Sequence, residues 1–169
     1  MASRTYRNHS TLTVDLIVSF DTGKAKRGLC SSFMAGLEFG DYVYGEHFPQ
    51  KVFTLPTDDS PLVLIANGSG IAPFRGLWQL MRFRGSNAGT VLFFGCRTQE
   101  EVLFRDETEG VLTSYLALSR ENGVAKEYVQ QRIAREAEVV RDLVNNKNAH
   151  VYVCGGVRIP TFSRLRNTF

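Results

Sequence analysis

From Ser60 onward, short apolar runs alternate with longer amphipathic ones, and that alternation confines the chain to a narrow set of folds. A strand that is apolar at every position has no polar face, so it must be covered on both sides, as the strands of a parallel sheet are. Leu62-Val63-Leu64-Ile65-Ala66, Val91-Leu92-Phe93-Phe94, Tyr115-Leu116-Ala117-Leu118 and Val151-Tyr152-Val153-Cys154 are runs of this kind. Between them the periodicity predicts helices over Ala72 to Arg84, Glu100 to Glu109 and Lys126 to Asn145, the last open to division into two. Strands and crossover helices in this order build a doubly wound, parallel α/β sheet.

Residues before Ser60 follow another pattern. Thr11 to Phe20 alternates as a half-buried strand does, Ser31 to Leu37 suits one short helix, and Asp41 to Leu55 suggests two extended pieces around Phe48-Pro49. We therefore divide the chain into a β-rich part, 1–58, and an α/β domain, 59–169. Some 55 residues are few for an independent barrel core, so the first part is expected to be the carboxyl-terminal portion of a β domain whose other strands lie upstream.

Composition narrows the function classes. Among 169 residues, 20 basic and 17 acidic side chains leave a net charge of only +3, without the cationic excess of a nucleic-acid binder. No apolar run approaches the roughly 20 residues that cross a bilayer, and the amino terminus is not signal-like. Cys30, Cys96 and Cys154 are far apart and lack metal-type spacing with His9, His47 or His150. They read as reduced thiols of a cytoplasmic protein, with no metal site. Glu100, Glu101, Asp106, Glu107 and Glu109 read as a solvated helix face.

Two segments carry chemistry. Directly after the first run comes Asn67-Gly68-Ser69-Gly70-Ile71-Ala72-Pro73-Phe74-Arg75-Gly76. Glycines at a strand-to-helix turn let the backbone approach a pyrophosphate, which the helix N-terminus then attracts; a plain tight βα turn is the alternative. The second segment runs from Ser119 to Gln130. A strand end that delivers Ser119 and Arg120, followed by Lys126 and Tyr128, reads as a socket for a 2'-phosphate. Arg grips a phosphate with paired charge-assisted bonds, Lys adds a point charge, and the two hydroxyls are further donors. The alternative there is a Ser119-capped turn, a solvated Arg120 and Lys126, and Tyr128 packed at a helix start.

In order along the chain, Gly68 to Gly76, Leu92 to Asp106, Ser119 to Gln130 and His150 to Gly155 resemble the NADPH-binding half of the ferredoxin reductase-like enzymes. The likeness is greatest to the diflavin reductases, such as cytochrome P450 reductase, the sulfite reductase flavoprotein and the reductase part of nitric oxide synthase. It implies that Gly68, Ser69 and Gly70 approach the cofactor phosphates and that Arg97 sits on the adenosine side. Ser119, Arg120, Lys126, Tyr128 and Gln130 match the 2'-phosphate and adenine contacts, a set that favours NADPH over NADH. Cys154, followed by Gly155, matches the cysteine beside the nicotinamide, where a polarizable thiol packs on the ring and helps set the hydride angle without acting as a nucleophile. A buried small hydrophobe is the plainer reading of Cys154. Gly28-Leu29-Cys30-Ser31 resembles the loop and helix start that hold the FAD pyrophosphate, with a simple Ser31 helix cap as the alternative. The β-rich part accordingly resembles the end of an FAD-binding domain.

The chain also departs from the pattern. Ala66-Asn67 replaces Gly-Pro, Gly156 stands where an acidic residue is usual, and Pro160 interrupts the next helix start. Arg4-Thr5-Tyr6-Arg7 resembles the Arg-x-Tyr-Ser flavin motif except that Arg7 replaces the serine. At Phe169 the chain stops where the family continues through a strand, a helix and an aromatic residue over the flavin, and no FMN domain is included. The resemblance thus implies the NADPH-binding part of a flavoprotein oxidoreductase. In the parent enzyme hydride passes from NADPH to FAD, then electrons pass through FMN to a haem or other acceptor protein. The expected setting is the cytoplasm, or the cytosolic face of the endoplasmic reticulum if a parent anchor exists. A single-flavin NAD(P)H reductase of the same fold and a degenerate, non-catalytic nucleotide- or protein-binding module are the competing readings.

Overall fold

The computed structural model describes residues 2–8, 11–15, 28–44, 53–86 and 88–156, the first two spans by backbone alone. Strand β1 (Ala2–Asn8) pairs antiparallel with β2 (Thr11–Asp15), with a register shift between Arg4 and Asn8. Helix α1 (Leu29–Ala35) follows, and none of its residues is buried. The parallel sheet then begins with β3 (Leu62–Asn67), a 3-10 turn over Gly68–Ile71, and α2 (Ala72–Arg84). Next come β4 (Val91–Cys96), a 3-10 turn over Gln99–Glu101, the single turn α3 (Arg105–Thr108) and β5 (Thr113–Leu118). Helices α4 (Val129–Arg135) and α5 (Ala137–Arg141), extended by a π-turn over Asp142–Asn146, lead to β6 (His150–Cys154).

The strands lie in the order β5-β4-β3-β6, all parallel. Register pairs Asn67 with Gly95, Ala66 with Cys154 and Cys96 with Leu118, so the carboxyl ends of all four strands finish along one edge. Alternation along each strand divides the core into two layers. Leu62, Leu64, Ala66, Leu92, Phe94 and Cys96 face α2, whose Phe74, Leu77, Trp78 and Met81 cover them. Val63, Ile65, Val91, Phe93 and Ala117 face α4 and α5 through Val129, Ile133 and Val140. Leu62 to Ala66 are wholly buried, as a central strand sandwiched between helices requires. Each such branched side chain contributes about 1.5–3 kcal/mol over leaving it in water.

Helix α2 matches its predicted span. Pro73 lies in its first turn, where no N–H is needed, and Gly85 ends it at φ 67°, a left-handed cap that glycine adopts without penalty. The predicted helix over Glu100 to Glu109 is broken in two instead. Val102, Leu103 and Phe104 are consecutive apolar residues that all pack on the α2-side core, which a continuous helix does not permit. Phe104 takes φ 58° to do so, a costly conformation for a bulky side chain. Its ring then meets Trp78 edge-on with centroids 6.0 Å apart and lies 4.5 Å beneath the Arg75 guanidinium. The acidic face is correspondingly not merely solvated. Glu107 forms a two-pronged pair with Arg75 and accepts from Gln79 at 3.1 Å, while Glu101 pairs with Arg97 at 2.8 Å.

The helix predicted from Lys126 starts later, at Val129, and divides after Arg135. In the first part of the chain, the strand expected over Thr11 to Phe20 is seen as Thr11–Asp15, and 16–20 lie outside the described residues. The extended pieces expected in Asp41 to Leu55 form no strand in 41–44 or 53–55; Phe48-Pro49 lies outside the described residues, as do Pro160 and Phe169. Phe53 nevertheless belongs to the core, stacked on Phe74 at 5.5 Å and edge-on to Tyr152 at 5.2 Å. The Tyr152 hydroxyl donates to the Thr54 carbonyl at 2.7 Å, which ties this segment to β6.

Candidate functional site

The chain leaves β3 toward β4 on one side and returns to β3's other side only at β6. At such a reversal the connections diverge and leave a crevice beyond the strand ends, which is where open α/β sheets take ligands. Gly68 and Gly70 follow β3 at this edge, and Cys154 and Gly155 lie at the end of β6 beside them. Gly68 has φ 55° with open space where a Cβ would point. Gly70 is buried for a different reason. A Cβ there would stand 2.2 Å from the Cys154 carbonyl oxygen and 2.7 Å from the Gly155 Cα. Its close approach is therefore to the backbone of β6, and it lets the turn seat against the neighbouring strand end. Ser69, between them, is exposed, and α2 begins one residue beyond the turn.

Cys154 is half-buried on the α2 side of the sheet. Burial pushes its thiol pKa up, so the group stays neutral at physiological pH. That suits a packing role and opposes a nucleophilic one. Cys96 is buried one strand over and its thiol is pushed up to about 11, first by burial and then by the charges of Glu101 and Glu121. Cys30 is exposed, and all three cysteines are free thiols.

At the ends of β4 and β5, backbone bonds continue past the sheet. The Ser119 N–H donates to the Cys96 carbonyl at 3.0 Å and the Arg120 N–H to the Arg97 carbonyl at 2.8 Å. These bonds bring Arg97 and Arg120 together from strands 23 positions apart in sequence. The loop then folds back, and Glu127 N–H donates to the Leu118 carbonyl at 2.9 Å. Lys126 and Tyr128 therefore flank the same strand end as Ser119, with the Lys126 ammonium 4.9 Å from the Tyr128 ring centre. Arg120, Lys126 and Tyr128 are exposed. Gln130 is half-buried in the first turn of α4. Tyr128 marks the start of that helix: its N–H donates to Gln131 Oε1 at 2.8 Å, and the Gln131 N–H donates to the Tyr128 carbonyl at 2.9 Å. The Ser119 hydroxyl donates to the Cys96 carbonyl at 3.2 Å, so its lone pairs, and not its proton, face outward for a ligand in this arrangement.

Gly28, Leu29 and Cys30 are exposed and Ser31 half-buried at the start of α1. Ser31 lies inside the helix; Gly28 is the cap residue, without a side-chain bond, so the simple Ser31 cap is not formed. Arg4 to Arg7 lie in β1, described by backbone alone. Two residues within these segments make contacts that no local sequence pattern signals. Asn67 lies across from Gly95, where a Cβ would stand 3.0 Å from its side-chain oxygen and 3.2 Å from Val129 Cβ. Glu121 sits within the socket segment, yet its bond to the next loop spans 22 positions.

Concavity alone points elsewhere. A cleft of about 460 Å³ lined by Trp78, Met81, Thr90 and Leu112 opens at the amino-terminal edge of the sheet. The carboxyl edge is the candidate site, because strand ends, the α2 N-terminus and the cations converge there. Among the described residues, no cluster of three or more His, Cys, Asp or Glu could hold a metal ion, and no helix is long and apolar enough to cross a membrane.

Comparison with known proteins identifies the family and the fold. The family model described as the oxidoreductase NAD-binding domain matches residues 64–164. A nitric oxide synthase-like protein of Bombyx mori is 41% identical over an alignment of 167 positions that covers 90% of this chain and 15% of that protein. The bifunctional cytochrome P450/NADPH–P450 reductase 1 of Bacillus subtilis is 34% identical over 140 residues, covering 76% of this chain and 13% of that protein. The chain thus spans about one seventh of the length of these relatives. A mutant of ferredoxin–NADP+ reductase from Plasmodium falciparum, solved in complex with 2'P-AMP, superposes with a TM-score of 0.72 at 21% identity. The match covers 98% of this chain and 71% of that one.

Proposed function

The chain belongs to the oxidoreductase NAD-binding domain family, and on that premise we propose that it binds NADPH along the carboxyl edge of its sheet and presents it to a flavin. The observation that carries this reading is the convergence of Arg97, Ser119, Arg120, Lys126 and Tyr128 at the ends of β4 and β5, beside the β3–β6 crevice. A guanidinium, an ammonium and a phenol exposed at one strand end form a donor set suited to a dianionic phosphate. NADH offers that set no charge to neutralise.

In this reading the Gly68-Ser69-Gly70 turn and the α2 N-terminus receive the pyrophosphate, and the open space at Gly68 fits a close backbone approach. Arg97 and Gln130 flank the adenosine. Cys154 and Gly155 stand beside the nicotinamide, where the neutral thiol packs against the ring and fixes its approach. NADPH, when bound, supplies a hydride, and FAD is its acceptor. Residues 1–58 are read as part of the FAD-binding β domain, with Gly28 to Ser31 toward its pyrophosphate, and 59–169 as the nucleotide domain. In the whole protein, electrons would continue through FMN to a haem or other acceptor protein.

Calorimetric titration with NADPH and NADH tests the reading, using the chain and its Arg120→Ala/Lys126→Ala double variant. Loss of two charge-assisted contacts is expected to weaken NADPH binding about a hundredfold or more and to leave NADH unchanged. Equal affinity for both cofactors would overturn the 2'-phosphate socket. A folded chain that binds neither would favour the degenerate module.

A further inference from the structure

Glu121 follows Arg120 directly, and a carboxylate at that place should repel the phosphate the socket is read to hold. The structure gives it another task. Its Oε2 accepts the Gln99 N–H at 2.5 Å, reaching from the loop after β5 to the loop after β4. Beyond the backbone bonds of Ser119 and Arg120 to the Cys96 and Arg97 carbonyls and the Ser119 hydroxyl bond to Cys96, it makes the outermost fastening between these loops. One loop carries Arg97 and the other carries Ser119 and Arg120. Glu127, the second acid of the segment, is likewise engaged, with Arg135 at 3.2 Å and Arg132 at 3.8 Å.

We propose that Glu121 is a positioning residue for cofactor selection: by accepting the Gln99 N–H, it holds the Arg97 loop against the Ser119-Arg120 loop at the spacing a 2'-phosphate requires. The inference rests on the NADPH reading above. Two effects of removing Glu121 have opposite signs. Through-space repulsion alone makes any neutral replacement bind phosphate more tightly. Loss of the fastening makes a replacement without an acceptor bind it more weakly, because both arms of the socket must then be ordered on binding.

The test measures dissociation constants of 2'-phospho-AMP and AMP for the chain, Glu121→Gln and Glu121→Ala. Glu121→Ala is expected to weaken 2'-phospho-AMP about fivefold and AMP, whose adenosine Arg97 flanks, by clearly less. Glu121→Gln, which keeps an acceptor and drops the charge, is expected to bind 2'-phospho-AMP as well as the parent or better. Unchanged or tighter binding of 2'-phospho-AMP by Glu121→Ala would overturn the proposal and leave the socket reading intact. Parallel loss of AMP affinity would also overturn it, since the role would then be general and not selective. If the unsubstituted chain shows no preference for 2'-phospho-AMP over AMP, the socket reading fails and the proposal falls with it.

Discussion

Replacing Gly70 by alanine tests the architecture of the crevice more sharply than any change to its charges. The new Cβ would stand 2.2 Å from the Cys154 carbonyl oxygen and 2.6 Å from its carbon, where ordinary contact begins near 3.4 Å. The shortfall is about 1.2 Å (3.4 − 2.2), and both obstructing atoms are backbone, so no rotamer relieves it. Either the turn lifts off or the end of β6 moves, which strains the Ala66–Cys154 rung of the sheet. Overpacking of this kind costs about 3 kcal/mol, offset by roughly 0.4–1 kcal/mol because alanine stiffens the unfolded chain. The net loss of about 2 kcal/mol should lower Tm by about 4–8 °C for a chain of this size. Urea unfolding can be followed by the fluorescence of Trp78, the one tryptophan in the sequence, which is 2% exposed in α2. Gly156→Ala, with open space at its Cβ, should unfold with the parent. Gly68→Ala should cost only the left-handed penalty of about 1 kcal/mol. A Gly70→Ala midpoint equal to that of the parent would refute the packing argument.

The Arg75 bonds hold the Glu107 carboxyl below the usual carboxylate range. Their stabilisation is complete above the unfolded carboxyl value, about pH 4.3, and is lost as pH falls through the lower folded value. Glu107→Gln should therefore unfold at lower urea than the parent at pH 7, with the gap closing below about pH 4; a gap independent of pH would contradict this. Alkylation by iodoacetamide at pH 8, followed by mass spectrometry, should modify exposed Cys30 first and Cys154 more slowly. Cys96 should react last, being buried with its thiol pushed up to about 11. Early modification of Cys154 would argue for an ionised thiol and against its packing role.

The strands were legible because burial on both faces demands unbroken apolar runs, and all four runs appear as parallel strands. Helix α2 was legible because its stripe, Pro73 and Gly85 are all local signals. The stretch from Gln99 to Thr108 was not, because its course depends on where Phe104 finds Trp78 and Arg75. A motif names candidate residues but not their contacts: Ser119 spends its proton on Cys96, and Glu121 reaches across to Gln99.

By itself the sequence determined what depends on neighbours along the chain: an α/β domain with apolar strands, a glycine turn after the first of them, and a cluster of cationic and hydroxylic residues beyond the third. Only the tertiary structure decided the strand order β5-β4-β3-β6. The same holds for the contact that excludes a side chain at position 70 and for the meeting of Arg97 with Arg120. Those features arise from pairings between residues 22 to 88 positions apart. Periodicity records which face of an element is apolar, and it carries no record of which distant element will cover that face.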